Sequence, residues 1–335
     1  MKIPLIKPYI TDDIKKSVCD VLDSGYLTEG PITKNFEEKL KEFIGCDYLH
    51  AVTSATTGLE VALRALGVGP GDEVIVPDYT YPATASVIEI VGAKSIIVDV
   101  NKEDMLININ SLENAISKNT KAIIPVSLFG APLDYEKLNV IKEKYNIYII
   151  EDAACSIGAV YKGIKVGNQA DITVFSLHPR KFITTGEGGI ITTNKKEWGD
   201  WINSYKHFGM DMKGSKREGI KFNMIGTNYK LTNIQAAVGL GQLENINELL
   251  KNGYAYKCFC SNDEIEEQKK RAKQKKIPYI YNREWRDRKE SDAPKNVKPV
   301  IRFKSKIDGN SILKDLVQGN VEIENNTIED FIILR

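Results

Sequence analysis

A lysine, an aspartate, a hydroxyl-rich run and one aromatic segment carry the chemistry that this sequence could do. Lys181 lies in Ser176-Leu-His178-Pro-Arg-Lys181-Phe-Ile-Thr-Thr-Gly186-Glu-Gly-Gly189, just past an apolar run and ahead of a glycine-rich turn. A lysine in a desolvated place has a lowered pKa, because burial disfavours the ammonium. Such an amine can form a Schiff base with an aldehyde cofactor; a surface lysine in a turn is the plain alternative. Asp152 follows the apolar run that ends Ile149-Ile-Glu151, at the carboxyl end where α/β sheets place ligands. Buried there it needs a cationic partner, and a protonated ring nitrogen is one; a helix N-cap is the other reading. Thr53-Ser54-Ala55-Thr56-Thr57-Gly58 precedes a helical pattern, so its donors and the helix dipole could hold a phosphate or simply cap the helix. In Val76-Pro-Asp-Tyr-Thr80-Tyr81 an aromatic could stack on a flat ring or fill the core.

Residues 1 to about 245 alternate between two periodicities. Asp12 to Leu22, Thr33 to Ile44, Thr57 to Leu66 and Tyr135 to Lys144 have helical apolar spacing. Glu73 to Val76, Ser95 to Val98, Ala122 to Pro125, Ile147 to Ile150 and Ile172 to Ser176 are short Ile/Val-rich runs, as in strands buried on both faces of a parallel sheet. Ile190 to Thr192 is a further strand candidate. Alternation of this kind predicts an α/β layer fold. After about Lys251 the character changes: Lys257 to Lys306 holds 16 Lys/Arg against 8 Asp/Glu. Glu264 to Lys276 reads as a charged helix, Val300 to Phe303 and Val321 to Ile323 as strands. The run Phe331-Ile-Ile-Leu-Arg335 is apolar to the last residues, and a strand ending there is expected to need a partner edge.

The 335 residues suggest two domains. A formal charge of +1, from 46 Lys+Arg against 45 Asp+Glu, excludes a strongly basic nucleic-acid protein as a whole-chain reading. With 42% hydrophobic residues the chain is not predominantly disordered. No apolar run approaches the ~20 residues of a membrane helix, and the first residues do not read as a signal peptide. Five cysteines, Cys19, Cys46, Cys155, Cys258 and Cys260, read as reduced thiols of a cytoplasmic protein.

Taken in order, these residues give the first ~245 positions a resemblance to the DegT/DnrJ/StrS-type nucleotide-sugar aminotransferases. Further supporting motifs are Ile3-Pro4-Leu5 with Pro8, Ser24-Gly25 with Gly30-Pro31, Gly69-Pro-Gly-Asp-Glu-Val-Ile-Val76, Glu151-Asp-Ala-Ala154, Tyr161-Lys-Gly163, and Gly226-Thr-Asn-Tyr-Lys-Leu231 with Ala236-Ala237. The resemblance implies the fold-type-I large domain of pyridoxal-phosphate-dependent transferases, a three-layer α/β/α arrangement with a mainly parallel sheet, over residues 1–247. It implies pyridoxal 5′-phosphate as cofactor, Lys181 as the Schiff-base lysine and Asp152 as the partner of the pyridine nitrogen. Tyr81 would stack on the ring; Ala55, Thr56 and Ser176 would hold the phosphate; Asn228 would reach the phosphate of a neighbouring subunit. His178 would line the site beside the lysine. Cys155 stands where the family commonly has Gln or His against the ring face or its hydroxyl. A homodimer is implied, as is transfer of an amino group, with glutamate as the expected donor, to a keto nucleotide-sugar. Lys181 argues against the dehydratase branch of the family, which carries histidine at that position.

Residues 248–335 resemble glutamyl-tRNA synthetase instead. The motifs are Asn252-Gly-Tyr-Ala-Tyr-Lys-Cys-Phe-Cys-Ser261, Pro299-Val-Ile-Arg-Phe-Lys304, Asp315-Leu-Val-Gln-Gly319 and Asn325-Asn-Thr-Ile-Glu-Asp-Phe-Ile-Ile-Leu-Arg335. The match falls around the acceptor-stem insertion of the catalytic region and implies a small α+β appendage. Both ATP-binding signatures of that enzyme are absent. Some relatives hold zinc on Cys-x-Cys and a later Cys-x-His; here Cys258 and Cys260 face Trp285 and Asp287 at the second pair, so no metal is expected. The chain thus reads as an aminotransferase large domain joined to a synthetase segment, lacking the small domain that completes the aminotransferase site. The alternative is a non-catalytic chimera whose basic stretch binds tRNA weakly.

Overall fold

The computed structural model describes residues 7–212, 219–275, 279–294, 297, 299–315, 319–330 and 332–334. The motif Ile3-Pro4-Leu5, the end of the charged helix at Lys276, Leu316 to Gln318, Phe331 and Arg335 lie outside them. The chain divides at Leu243/Glu244 into two compact units.

Helix ends in the first unit follow from local chemistry. Helix α1 (Asp12–Ser24) starts where the Thr11 hydroxyl accepts the Ile14 N–H, and stops at Gly25 with φ 67°, a left-handed position that glycine adopts without cost. Helix α2 (Pro31–Ile44) opens with proline in its first turn, where no N–H is needed. Strand β1 (Tyr48–Val52) leads into α3 (Ala55–Ala65), whose cap is a reciprocal box between Ser54 and Thr57. There follow β2 (Glu73–Pro77), α4 (Ala83–Ile90), β3 (Lys94–Val98), α5 (Ile109–Ala115), β4 (Thr120–Ile123), α6 (Tyr135–Tyr145) and β5 (Tyr148–Asp152). A small hairpin, β6 (Val160–Tyr161) with β7 (Ile164–Lys165), precedes β8 (Ile172–Ser176), β9 (Gly189–Thr193), α7 (Lys196–Tyr205) and α8 (Asn233–Lys251). Strand β1 was not foreseen in the sequence. Its Tyr48-Leu-His-Ala-Val52 alternates half-buried and buried residues without an Ile/Val run.

Among the described residues seven strands form one sheet in the order β1-β9-β8-β5-β4-β2-β3. The pairs from β8 through β5, β4 and β2 to β3 are parallel, while β9 runs antiparallel to both β8 and β1. Successive strand residues feed opposite cores, as the period of two requires. Val74, Val76, Ile150 and Val174 pack with α3, α4 and α7, whereas Ile75, Ile123 and Ile149 pack with α5 and α6. This is the expected three-layer α/β fold with a mostly parallel sheet.

Register decides where the site forms. Gly189 pairs with Val52 on one side and Ser176 on the other, so the chain leaving β1 toward α3 and the chain leaving β8 toward Lys181 emerge side by side. Gly189 fits because it has no side chain: a Cβ there would lie 2.5 Å from the Ser54 carbonyl group and 2.6 Å from Ala55 N. Gly189→Ala is therefore expected to push α3 off the strand and cost about 1–3 kcal/mol of stability. Urea unfolding measures this, and a loss below a few tenths of a kcal/mol would refute the tight contact.

The second unit is an α+β assembly. Strands β10 (Ala255–Cys258), β11 (Val300–Phe303) and β14 (Ile332–Leu334) form an antiparallel sheet, and β12 (Asn310–Asp315) pairs with β13 (Gly319–Glu324). Helix α9 (Asn262–Gln274) is capped by Ser261 with Glu264. The core gathers Tyr256, Cys258, Phe259, Tyr281 and Trp285. The buried Asp330 carboxylate takes two bonds of 2.8 Å from Arg286 and one of 2.9 Å from Tyr256. Trp285 packs against Phe259 with the rings tilted and their centroids 5.0 Å apart, and Asp287 pairs with Lys304 at 3.0 Å. Among the described residues of the whole chain, no helix is long and apolar enough to cross a membrane.

Candidate active site

Asp152 is the last residue of β5 and is buried. Its backbone is locked on the neighbouring loop: its N–H donates to the Pro125 carbonyl at 3.0 Å, and its carbonyl accepts the Ser127 N–H at 3.0 Å. The carboxylate accepts the Thr84 hydroxyl at 2.8 Å and the Ala154 N–H at 3.1 Å. Burial pushes its pKa up, while the Thr84 and Ala154 donors and the Lys181 charge pull it down. Thr84 comes from the first turn of α4, three residues after Tyr81, and its N–H donates to the Tyr81 carbonyl at 3.1 Å. Tyr81 itself is 76% exposed.

Lys181 arrives from β8 by a short bonded turn. The His178 N–H donates to the Ser176 hydroxyl at 3.3 Å, and the Lys181 N–H to the His178 carbonyl at 2.8 Å. His178 Nδ1 accepts the Arg180 N–H at 3.2 Å. Lys181 Nζ reaches Cys155 Sγ at 3.0 Å. Lysine and aspartate thus converge on one place: Lys181 touches Cys155, three residues after Asp152, and its charge acts on the Asp152 carboxylate.

The remaining candidates cluster at the start of α3. Ala55 and Thr56 begin that helix, and among the described residues their N–H groups take no protein acceptor. These are the open donors of a first helical turn, which suit an anion. Ser176 lies across Gly189 from the end of β1. Asn228 is exposed on a segment held to the same end, where the Thr53 N–H donates to the Tyr229 carbonyl at 3.1 Å.

Pyridoxal phosphate can be tested against this donor set. A buried carboxylate without a cation in ion-pair range, among the described residues, suits a protonated ring nitrogen. The open N–H groups of α3 suit a phosphate, and the Lys181 amine suits an aldehyde. All three features stand at the carboxyl ends of β5 and β8 or beside them, so the residues fit the group.

Three supporting groups were given no role by the sequence. Thr84 is one of seven Ser/Thr residues from Thr53 to Ser86, and only the fold brings it to Asp152. Glu151, buried on the opposite face of β5, accepts from Ser127, from Tyr135 at 2.7 Å and from Thr173 at 3.3 Å. Its burial pushes the pKa up to about 7. Lys206, at the end of α7, is wholly buried and bonded to Glu29, Glu37 and the Ala51 carbonyl.

Glu151 makes a pH prediction. Between the ordinary 4.5 and about 7 the folded chain keeps a proton that the unfolded chain has released. Its contribution to stability is therefore full below the unfolded value and is lost as pH rises through the folded one. Glu151→Gln should keep the stability seen at about pH 5 and remove this part of the decline toward about pH 8. Urea midpoints at the two pH values decide, and identical slopes for the two proteins would count against the assignment.

The DegT/DnrJ/EryC1/StrS aminotransferase family matches residues 8–258, well over half of the 335. The chain belongs to this family. An uncharacterized protein of Methanocaldococcus jannaschii is 40% identical over 248 residues, covering 72% of this chain and 64% of that one. The chain thus spans less than two thirds of that relative's length. A Streptococcus pneumoniae protein described as a sugar aminotransferase, solved in its PMP form, is 32% identical with a TM-score of 0.70; the match covers 78% of this chain and 76% of that chain. Helicobacter pylori PseC, an aminotransferase involved in the biosynthesis of pseudoaminic acid, is 30% identical with a TM-score of 0.69, over 76% of this chain and 68% of its own. A second family, the class I tRNA synthetases (E and Q) by their catalytic domain, matches residues 222–335. Membership of the aminotransferase family makes an enzyme the expectation for residues 8–258.

Proposed function

We propose that the chain is a pyridoxal-phosphate-dependent aminotransferase that moves an amino group from an amino acid, glutamate first among the donors to test, to a keto group on a nucleotide-linked sugar. The observation that carries this reading is the convergence of Lys181 and buried Asp152 beside the open first turn of α3. Pyridoxal phosphate, when bound, supplies an aldehyde and an electron-withdrawing ring. In this reading Asp152, oriented by Thr84, keeps a proton on the ring nitrogen. Ala55 and Thr56 bind the phosphate through their N–H groups, with Ser176 adding its hydroxyl and Asn228 acting on a second subunit's phosphate. Tyr81 covers one ring face, while Cys155 and His178 line the place where substrate enters. The Lys181 amine would be the group that attaches the aldehyde and would move the proton of the substrate α-carbon. Retention of lysine at position 181 supports amination over dehydration.

A homodimer follows from this reading. Exposed Tyr26, Phe208, Phe222 and the almost fully exposed Ile225 are apolar surface that a second copy would cover. We divide the chain into an aminotransferase large domain, 1–247, and a glutamyl-tRNA synthetase-like segment, 248–335. The match to residues 222–335 supports the second assignment, and we attach neither tRNA binding nor ligase activity to it.

The direct test is spectral. Purified protein incubated with pyridoxal phosphate should gain a visible absorbance band that survives dialysis, and borohydride should fix the cofactor's mass on the peptide containing Lys181. Addition of L-glutamate should bleach the band. Absence of any retained band would defeat the reading.

A further inference from the structure

Cys155 Sγ and Lys181 Nζ lie 3.0 Å apart, a thiol against a primary amine. Cys155 is exposed, so a small solute can reach the sulfur. The contact joins residues 26 positions apart, on the turns that follow β5 and β8, each anchored by its own backbone bonds. Among the other cysteines, Cys46 and Cys258 are buried and Cys260 is half-buried. Cys19 is exposed on α1, and among the described residues no amine stands at hydrogen-bond distance from its sulfur.

We propose that Cys155 and Lys181 form a reversible redox cross-link: a hydroperoxide oxidises the sulfur, the amine captures it, and the cofactor can then no longer attach. The inference rests on Lys181 being the lysine that holds pyridoxal phosphate. In the first step the Cys155 thiolate attacks the peroxide. An S–O bond forms to one peroxide oxygen, the O–O bond breaks, sulfur loses two electrons, and the other oxygen leaves as water from hydrogen peroxide or as the alcohol from an organic hydroperoxide. In the second step the Lys181 nitrogen attacks the sulfenic sulfur. An S–N bond forms, the S–O bond breaks, and the oxygen leaves as water with a proton from the nitrogen. No second oxidant is required. A thiol reverses the change: it attacks the sulfur, the S–N bond breaks, and the amine recovers its proton. A second thiol then releases Cys155 from the mixed disulfide.

The geometry favours capture over further oxidation, because the amine already occupies the approach to the sulfur. It also makes the device conditional. An amine engaged by the cofactor is not free to attack, so the loaded enzyme is protected and the empty enzyme is the sensitive form. At Cys19 the same oxidant would stop at a trappable sulfenic acid or proceed up the oxidation ladder.

The test uses the full chain stripped of cofactor with hydroxylamine and treated with hydrogen peroxide, followed by peptide mapping with and without the sulfenic-acid trap dimedone. The expected product joins the peptides of Cys155 and Lys181 at a mass two hydrogens below their sum. Pyridoxal phosphate uptake should be lost with its appearance and restored by dithiothreitol. In Lys181→Met the joined peptide should vanish and dimedone should label Cys155 several-fold more than in the wild type. Wild-type Cys155 labelled as heavily as Cys19, with no joined peptide, overturns the proposal. Uptake by the untreated stripped chain is the separate control: its failure would condemn the functional reading, while normal uptake without a cross-link would condemn only the redox pair.

Discussion

Lys181→Ala is expected to reduce transamination by about a thousandfold or more, the usual contribution of a positioned proton-transfer group, and to abolish borohydride fixation of the cofactor. The expectation follows from position. No other amine among the described residues is placed both at the end of β8 and against the segment that carries Asp152 and Cys155. The variant should still fold, because the Lys181 side chain is only half-buried and its one hydrogen bond is to a thiol. Circular dichroism and urea unfolding should therefore match the wild type while the half-reaction with L-glutamate, followed by the cofactor's absorbance, disappears. A residual rate within tenfold of the wild type would remove Lys181 from the chemistry.

Lys206→Met should produce the largest stability loss, about 3–5 kcal/mol, as is usual when one member of a buried ion cluster is removed. The Lys206 ammonium has three donors and meets three acceptors: Glu29 at 3.2 Å, Glu37 at 3.1 Å and the Ala51 carbonyl at 3.1 Å. Glu37 also accepts the Ala51 N–H at 2.7 Å, so the cluster ties α2 to β1. The two carboxylates respond differently. Burial raises Glu37 despite its lysine, whereas Glu29, which also meets His207 at 3.1 Å, is held below its usual value. The same burial, with the Lys206 charge, pushes His50 down to about 3. Removing the ammonium leaves both acids in a poorly solvated place. A second substitution, Glu37→Gln in the Lys206→Met background, should recover part of the loss by deleting one of the stranded charges. Chemical denaturation measures both. A single-variant loss under about 1 kcal/mol would show that water already reaches the cluster.

The consequences of that cluster extend toward the site. The Lys206 carbonyl accepts the Tyr229 N–H at 3.3 Å, and the Phe208 N–H donates to the Thr227 carbonyl at 3.0 Å. The segment bearing Asn228 is thus supported by the same corner that Lys206 holds together. Weakening it should lower cofactor retention as well as stability.

Much of this architecture is local in origin and was legible as such. The Ile/Val runs of β2, β5 and β8 are buried on both faces, so they lack the alternation of a half-exposed strand and stand out from the helices; the run of β3, expected to be buried likewise, lies at the sheet edge with Ile97 61% exposed. The caps Thr11, Ser54 and Gly25 mark helix ends by bonds made within three or four residues. Lys181, Asp152 and the α3 start could be singled out because each belongs to a contiguous motif. Strand β1 escaped notice because its burial depends on β9, a strand far along the chain. The roles of Thr84, Glu151 and Lys206 were hidden for the same reason: each is defined by partners on other elements.

The sequence alone determined which groups were available and where the chain would turn, because capping, glycine conformation and apolar periodicity act over a few residues. Only the tertiary structure decided that Lys181 and Asp152 share one site. That depends on β5 lying beside β8, and on Gly189 seating the start of α3 between β1 and β8. Sheet order and register are set by burying both faces of many strands at once, and no single stretch of chain encodes that requirement.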